Sequence, residues 1–404
     1  MTSSCSRKIV VTHLKSSDEI LSSARVVSEV EKCNCTDPEN YLPMDDYPQL
    51  HDQKQIRINF HFPNSSELIH NYTGEDAETY VKGILTSCNE KLNDNRKMNL
   101  PEGNDTPVYD PSYRYVLAED PNTPSGKGIY VDVDDENWYY IRAGRNRNNY
   151  SKKIINNFKV SEDSILNIFA MCYHPDSLKS EKFKAGEAGI AIGNSVKIAG
   201  LCEHGVTGGW KLASLLNHEI GHVFGLRHSW VRGDGCDDTP TNPNCWNTEK
   251  DGPCSGPISN NMMDYNVSQR AITPCQIGII HSQMANEKKK VRNLLVKSWC
   301  DYDTAKNIVI KDSVTFNRSL DLKGDLIIED GGVLMLSCRV HLPAGASIIV
   351  HPQATLILNE CKLHNDCGET WQGIKLLSKG DQKGIVEYRG DVEILNLEQD
   401  VSLD

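Results

Sequence analysis

One stretch, His218-Glu-Ile-Gly-His-Val-Phe-Gly-Leu-Arg-His228, constrains this chain more than any other. On a helix, residues four apart lie on one face, so His218 and His222 present two imidazoles to a single point. A third imidazole cannot come from the next turn of that face, because the ion would be crowded against one side of the helix. The chain must leave the helix and return. Gly225 supplies the permissive backbone for that turn, and His228 then approaches from another direction. Three nitrogens with one open position match a catalytic zinc site. Glu219 points about 100° away from His218 around the helix, where it is placed to act as general base on a zinc-bound water.

Fold class and compartment follow from the rest of the chain. Its 404 residues are too many for one ordinary domain. A net charge of −12 argues against nucleic acid and anionic membrane surfaces as partners. No apolar run approaches the roughly 18 residues of a membrane span. Fourteen cysteines occur without a CxxC pair, four of them between 236 and 275. That pattern fits disulfides in an oxidising compartment better than a zinc ribbon. The first twenty residues make a poor signal peptide. The reading is a secreted or extracellular protein whose signal lies outside this sequence.

Residues 1–52 are polar, with a short helical pattern near 17–32. Between 53 and 302, strand patterns (56–62, 113–117, 164–173, and a strand-turn-strand at 188–201) alternate with helical ones at 74–94, 211–224 and 274–295. A stretch at 119–160 reads as a solvated hairpin, and 229–270 as a long irregular loop rich in Cys, Asp, Pro, Asn and Gly. From 303 to 404 the texture is short β runs with a repeat. Ile327 aligns with Ile349, Leu334 with Leu356 and Leu336 with Leu358, each 22 residues apart. That period suggests the coils of a parallel β-helix, the alternative being a β-sandwich with similar hairpins.

HExxHxxGxxH is the metzincin signature, and this sequence resembles the pappalysin (cytophagalysin-like) branch of that family over roughly 33–295. "NNMMDYN" (260–266) is similar to the branch's methionine turn, and "CDDTP" (236–240) strengthens the match. The resemblance implies an α+β catalytic domain: a twisted mixed sheet with helices above the cleft and an irregular Cys-rich part below. It implies Met263 beneath the zinc and Tyr265 stabilising the oxyanion beside it. It further implies that Cys236 pairs with Cys254 and Cys245 with Cys275, although four cysteines allow three pairings. Asp237, Asp238 and Thr239 become candidate ligands for a structural calcium. The edge strand at "GIAIG" would pair with extended substrate backbone.

Some relatives carry an inhibitory cysteine ahead of the first catalytic strand. Cys33 or Cys35, or else Asp45 or Asp46, is the candidate zinc switch, with residues 1–52 as an inhibitory pro-segment. The expectation is therefore a latent zinc endopeptidase acting on extracellular proteins or peptides, followed by an all-β, right-handed β-helix-like domain that binds glycan or protein. The competing expectations are an adhesion protein with a relic zinc domain and a zinc hydrolase of non-peptide substrates.

Overall fold

The computed structural model describes residues 9–398 apart from 28, 29, 31, 121, 124, 125, 182, 184 and 185. Cys5 and the end of the β-patterned tail, 399–404, lie outside the described residues. Two compact units result. One is Gln53–Val296; the other joins the described residues of Met1–Asp52 with those of Lys297–Asp404. The fold is mixed α/β.

The unit Gln53–Val296 is organised on strand Lys54–Asn64. Its first half pairs in parallel with Tyr113–Leu117 and its second half with Ile129–Val133. Leu166–Tyr173 pairs with its middle, also in parallel. All eight residues of Leu166–Tyr173 are buried, as a parallel strand covered on both faces requires. Ser195–Ala199 adds in parallel, and Ala188–Ile192 folds back on it antiparallel to end the sheet. Helix Gly74–Asn93 buries Ala77, Tyr80, Val81, Ile84, Cys88 and Leu92, an apolar stripe at helical spacing. It packs against helix Ala213–Val223, which carries the histidine motif and also contacts the edge strand.

The solvated hairpin expected at 119–160 is corrected. Ile129–Val133 belongs to the main sheet, Tyr139–Tyr140 pairs with Cys172–Tyr173, and helix Lys153–Phe158 buries Ile154 and Ile155 against Phe169, Met171 and Tyr173. Within Ile129–Val133 the acid Asp132 is buried against the His61 ring nitrogen at 2.8 Å, while Val131 and Val133 are exposed.

No helix or strand lies between Val223 and Pro274. Disulfides Cys236–Cys275 and Cys245–Cys254 tie this region. The pairing expected from resemblance, Cys236 with Cys254 and Cys245 with Cys275, is therefore corrected. Cys275 is on the first turn of helix Pro274–Ala285, and the chain after Gly235 runs beside that turn, where the Cys275 sulfur also approaches the Gly235 carbonyl at 3.4 Å. Cys254 closes a short loop onto Cys245.

In the other unit, segments one repeat apart stack in parallel. Ile308–Ile310, Leu326–Ile328, Ile348–Val350 and Ile374–Lys379 form one sheet. Ser313–Phe316, Val333–His341, Thr355–His364 and Ile385–Arg389 form a second. The register sets Ile327 beside Ile349, Leu334 beside Leu356 and Leu336 beside Leu358. Leu326, Ile328, Leu334, Leu336, Ile348, Val350, Leu356 and Leu358 are fully buried in its core.

Residues 9–52 are built into this unit. Ile9–Leu14 pairs antiparallel with Ile374–Lys379, Arg25–Val26 lies beside Ile385–Arg389, and Leu14 and Ile20 join the core. The Arg318 guanidinium donates to the carbonyls of Asn40, Leu42 and Leu50. Cys35 is disulfide-bonded to Cys338, and the Cys33 sulfur stands 3.5 Å from the Cys338 sulfur. The disulfide consumes the Cys35 thiol, which corrects the zinc-switch expectation for that residue, whereas Cys33 is a free, partly buried thiol.

Candidate metal centre

The centre is assembled by one helix, its C-terminal turn and one loop. Helix Ala213–Val223 carries His218 and His222. It ends in a paired cap: Gly225 N–H donates to the His222 carbonyl and Leu226 N–H to the Gly221 carbonyl. This is the Schellman arrangement, which places the residue after the cap in the left-handed region. Gly225 has φ of +92°. Phe224 and Leu226, on either side of it, are buried, so hydrophobic anchors hold the turn while glycine permits it. The chain then returns His228 to the helix face.

The three Nε2 atoms converge. His222 Nε2 lies 3.2 Å from His218 Nε2 and 3.0 Å from His228 Nε2. Tetrahedral zinc with Zn–N of about 2.0–2.1 Å would place its nitrogen ligands about 3.3 Å apart. On the opposite side of two rings, the nitrogens are spoken for. His218 Nδ1 donates to the Met262 carbonyl at 2.9 Å, and His222 Nδ1 to the Leu226 carbonyl at 2.8 Å. Those bonds put the ring protons on Nδ1 and turn bare Nε2 lone pairs toward each other. Facing acceptors at such distances repel unless a cation lies among them, so the donor set fits zinc. Burial, with the neighbouring imidazoles, holds His218 down to about 3 and His228 to about 4, and burial lowers His222 as well. All three rings are neutral at neutral pH, as metal coordination through Nε2 would require.

Glu219 is buried on the adjacent helix face, against the edge strand. Its carboxylate accepts a hydrogen bond from Ala191 N–H and lies against Gly189, where a Cβ would stand 2.8 Å from Oε1. Burial raises its pKa to about 7, and the single backbone donor only partly offsets this. A carboxylate so placed is a proton acceptor poised near neutrality.

The floor is Met263, fully buried beneath Gly221. A Cβ on Gly221 would stand 2.6 Å from the Met263 sulfur. The neighbouring Tyr265 is half exposed, its ring 5.5 Å from that of His218 and 5.4 Å from that of His228.

Three parts were not anticipated. Asp264, between Met263 and Tyr265, is fully buried and receives hydrogen bonds from Ser229 and Asn242. Trp230 stacks on His228, with centroids 3.9 Å apart and an angle of 14° between the planes, and also meets Tyr265. Arg142, from the 119–160 stretch, acts electrostatically on Tyr265. Only Trp230 carried a local signal, as an aromatic residue two positions after the third histidine.

The residues expected at a calcium have other partners. Asp238 accepts from the Thr273 hydroxyl and from Cys275 N–H, so it secures the start of helix Pro274–Ala285. The Thr239 hydroxyl sits between the Asp234 carboxylate and the Cys236 carbonyl. Asp237 is exposed.

No family model matches the chain, and no curated protein matches it. Among solved structures it is similar to mirolysin in complex with a compound, with TM-score 0.41 and 17% identity over 60% of this chain and 96% of that one. Mature mirolysin of Tannerella forsythia with a cleaved peptide gives TM-score 0.38 and 18% identity, covering the same shares of the two chains. A promirolysin mutant from the same organism gives 0.38 and 15%, over 60% of this chain and 84% of that one.

Proposed function

We propose that the chain is a zinc-dependent endopeptidase. The observation that carries this reading is the convergence of three neutral imidazoles beside a desolvated carboxylate, at the open edge of a sheet. His218, His222 and His228 hold the metal. Zinc, when bound, supplies a Lewis acid that polarises a peptide carbonyl and acidifies a water molecule. Glu219 takes the proton from the attacking water and later delivers it to the departing amine. Its raised affinity for a proton suits both transfers, and Gly189 gives it room. The Tyr265 hydroxyl donates to the developing oxyanion. Met263 supports the ligand-bearing helix at Gly221. The edge strand Ala188–Ile192 aligns an extended substrate through backbone hydrogen bonds.

Five disulfides among the described residues support secretion to an oxidising compartment. The resemblance to the pappalysin branch of the metzincins rests on the histidine motif and the methionine turn. We also infer that the strands from Ile308 to Ile394 form coils of a β-helix, right-handed as parallel crossovers nearly always are. The parallel stacking of successive segments, with a 22-residue register in the two middle pairings, supports it. Latency imposed by Cys33 or Cys35 forms no part of this reading.

The test is a casein or peptide-library digest with and without chelator, beside Glu219→Ala. The parent cleaves and the chelated sample does not. Glu219→Ala binds one zinc by elemental analysis and is inactive. A Glu219→Ala protein as active as the parent sinks the mechanism, and a parent that never binds zinc sinks the reading.

A further inference from the structure

Beyond the metal centre, a cationic loop lies beside the start of the edge strand. Between 137 and 161 the sequence holds Arg142, Arg145, Arg147, Lys152, Lys153 and Lys159 and no acidic residue, in a chain of net charge −12. All three arginines are exposed.

The loop is held firmly. Asn148 bridges its two ends: its side chain accepts from Ile141 N–H at 2.8 Å and donates to the Tyr139 carbonyl at 2.9 Å. From below, the ammonium of Lys197, 1% exposed and on a strand of the main sheet, donates to the carbonyls of Asn148 and Ser151 at 2.8 and 2.9 Å. Ile154 and Ile155 pin the following helix to a cluster that includes Ala188 and Ile192 of the edge strand. The loop therefore shares a hydrophobic base with the strand beside Glu219.

Arg142 reaches from this loop to the start of that strand. Its Nη1 lies 3.7 Å from where a Cβ on Gly186 would stand. Glu219 touches the same chain at Gly189, three residues on. At about 3.3 Å per residue, that separation is roughly 10 Å, or two to three residues of an extended peptide lying along the edge. Among the described residues no carboxylate forms an ion pair with Arg142, and the adjacent Glu187 is engaged by His204 at 3.6 Å.

We propose that Arg142 forms a subsite for an acidic side chain two to three residues from the scissile bond, so that the chain selects acidic peptides. This rests on the endopeptidase reading for the position of the bond. An arginine is suited to the task because its planar fork takes a carboxylate bidentately. Arg145 and Arg147 extend the positive field and steer acidic segments to an otherwise acidic molecule.

The experiment separates binding from catalysis. Zinc-loaded Glu219→Ala protein is titrated against a fluorescein-labelled decapeptide with Glu at the second and third positions on both sides of its central bond. A second peptide carries Gln at those positions and a third Lys, and anisotropy reads the affinity. The Glu peptide is expected to bind roughly three- to tenfold more tightly than the Gln peptide at low salt, the range of a partly exposed charge pair. The gap closes with Arg142→Gln, persists with Arg142→Lys, and reverses toward the Lys peptide with Arg142→Glu. Equal affinity for the Glu and Gln peptides, or a gap that survives Arg142→Gln, overturns the proposal. Cleavage by the parent is measured separately. An intact acidic preference without any cleavage defeats the peptidase reading and leaves the anionic subsite standing.

Discussion

The hydroxyl of Ser229, the residue after the third imidazole, donates to the buried carboxylate of Asp264, the residue after Met263, at 2.5 Å. The other Asp264 oxygen accepts from the Asn242 amide at 3.0 Å. One buried charge thus fastens the chain leaving the metal site to the loop that floors it. Removing a donor from a buried carboxylate costs about 1–3 kcal/mol. Ser229→Ala is expected to lower the melting temperature and, by freeing His228, to weaken zinc binding about 10-fold, at the low end for partners that orient a ligand. Thermal denaturation and competition with a chromogenic chelator read the two effects. Unchanged zinc affinity would show that His228 is held without Asp264.

Two glycines in helices of the same unit should respond in opposite ways to alanine. Gly221 faces Met263, with its sulfur 2.6 Å from the position a Cβ would take. Gly221→Ala overpacks the floor and is expected to destabilise by about 1–3 kcal/mol. Gly83 lies inside helix Gly74–Asn93, and nothing lies within 4 Å of its Cβ position. Gly83→Ala is expected to stabilise by about 0.5–1 kcal/mol through helix propensity. Equal changes in the denaturant midpoint would refute the packing argument.

Glu219 makes the metal-free protein sensitive to pH. Its carboxyl rises from the usual 4.5 to about 7 because it is buried. The folded state therefore binds more protons than the unfolded state between those values, and stability falls as pH rises through them. Below pH 4.5 the group is protonated in both states and costs nothing. Above 7 the full cost is present, on the order of 3 kcal/mol. Metal-free Glu219→Gln should accordingly be more stable than the metal-free parent at pH 8, with the difference shrinking toward pH 5. Melting curves across that range check it, and a constant difference would mean the charge is not the cause.

Gly189 tests how tightly the carboxylate is held. A Cβ there would stand 2.7 Å from Glu219 Cγ and 2.8 Å from Oε1. Gly189→Ala must displace the side chain while leaving the three imidazoles in place. Zinc content should be unchanged, and kcat/KM should fall about 10²-fold, as a displacement of about 1 Å from reacting geometry does. Normal turnover would place the working position of Glu219 elsewhere.

Much of this site was legible because its logic is local. Four-residue spacing on a helix and one glycine beyond it fix where His218, His222 and His228 lie relative to one another, whatever surrounds them. The 22-residue repeat is local in the same sense, since Leu326–Ile328 pairs with Ile348–Val350 and Leu334–Leu336 with Leu356–Leu358 in the register the alignment gives. The alternation of strand and helix before Ala213 likewise follows from apolar period. Asp264 could not be read this way. An acid between a methionine and a tyrosine looks like a solvated loop residue until Ser229 and Asn242 are brought to it.

The sequence by itself determined the convergence of the three imidazoles, the turn that brings the third back and the register of the two middle pairings among the C-terminal strands, because each depends on residues within one turn or one repeat. Tertiary structure alone decided that Cys236 joins Cys275, that Cys35 is tied to Cys338, that residues 9–52 complete the β unit, and that Arg142 stands beside Gly186. Those outcomes depend on which distant segments share a core. Burial of apolar area is non-directional, so no spacing along the chain encodes its partner.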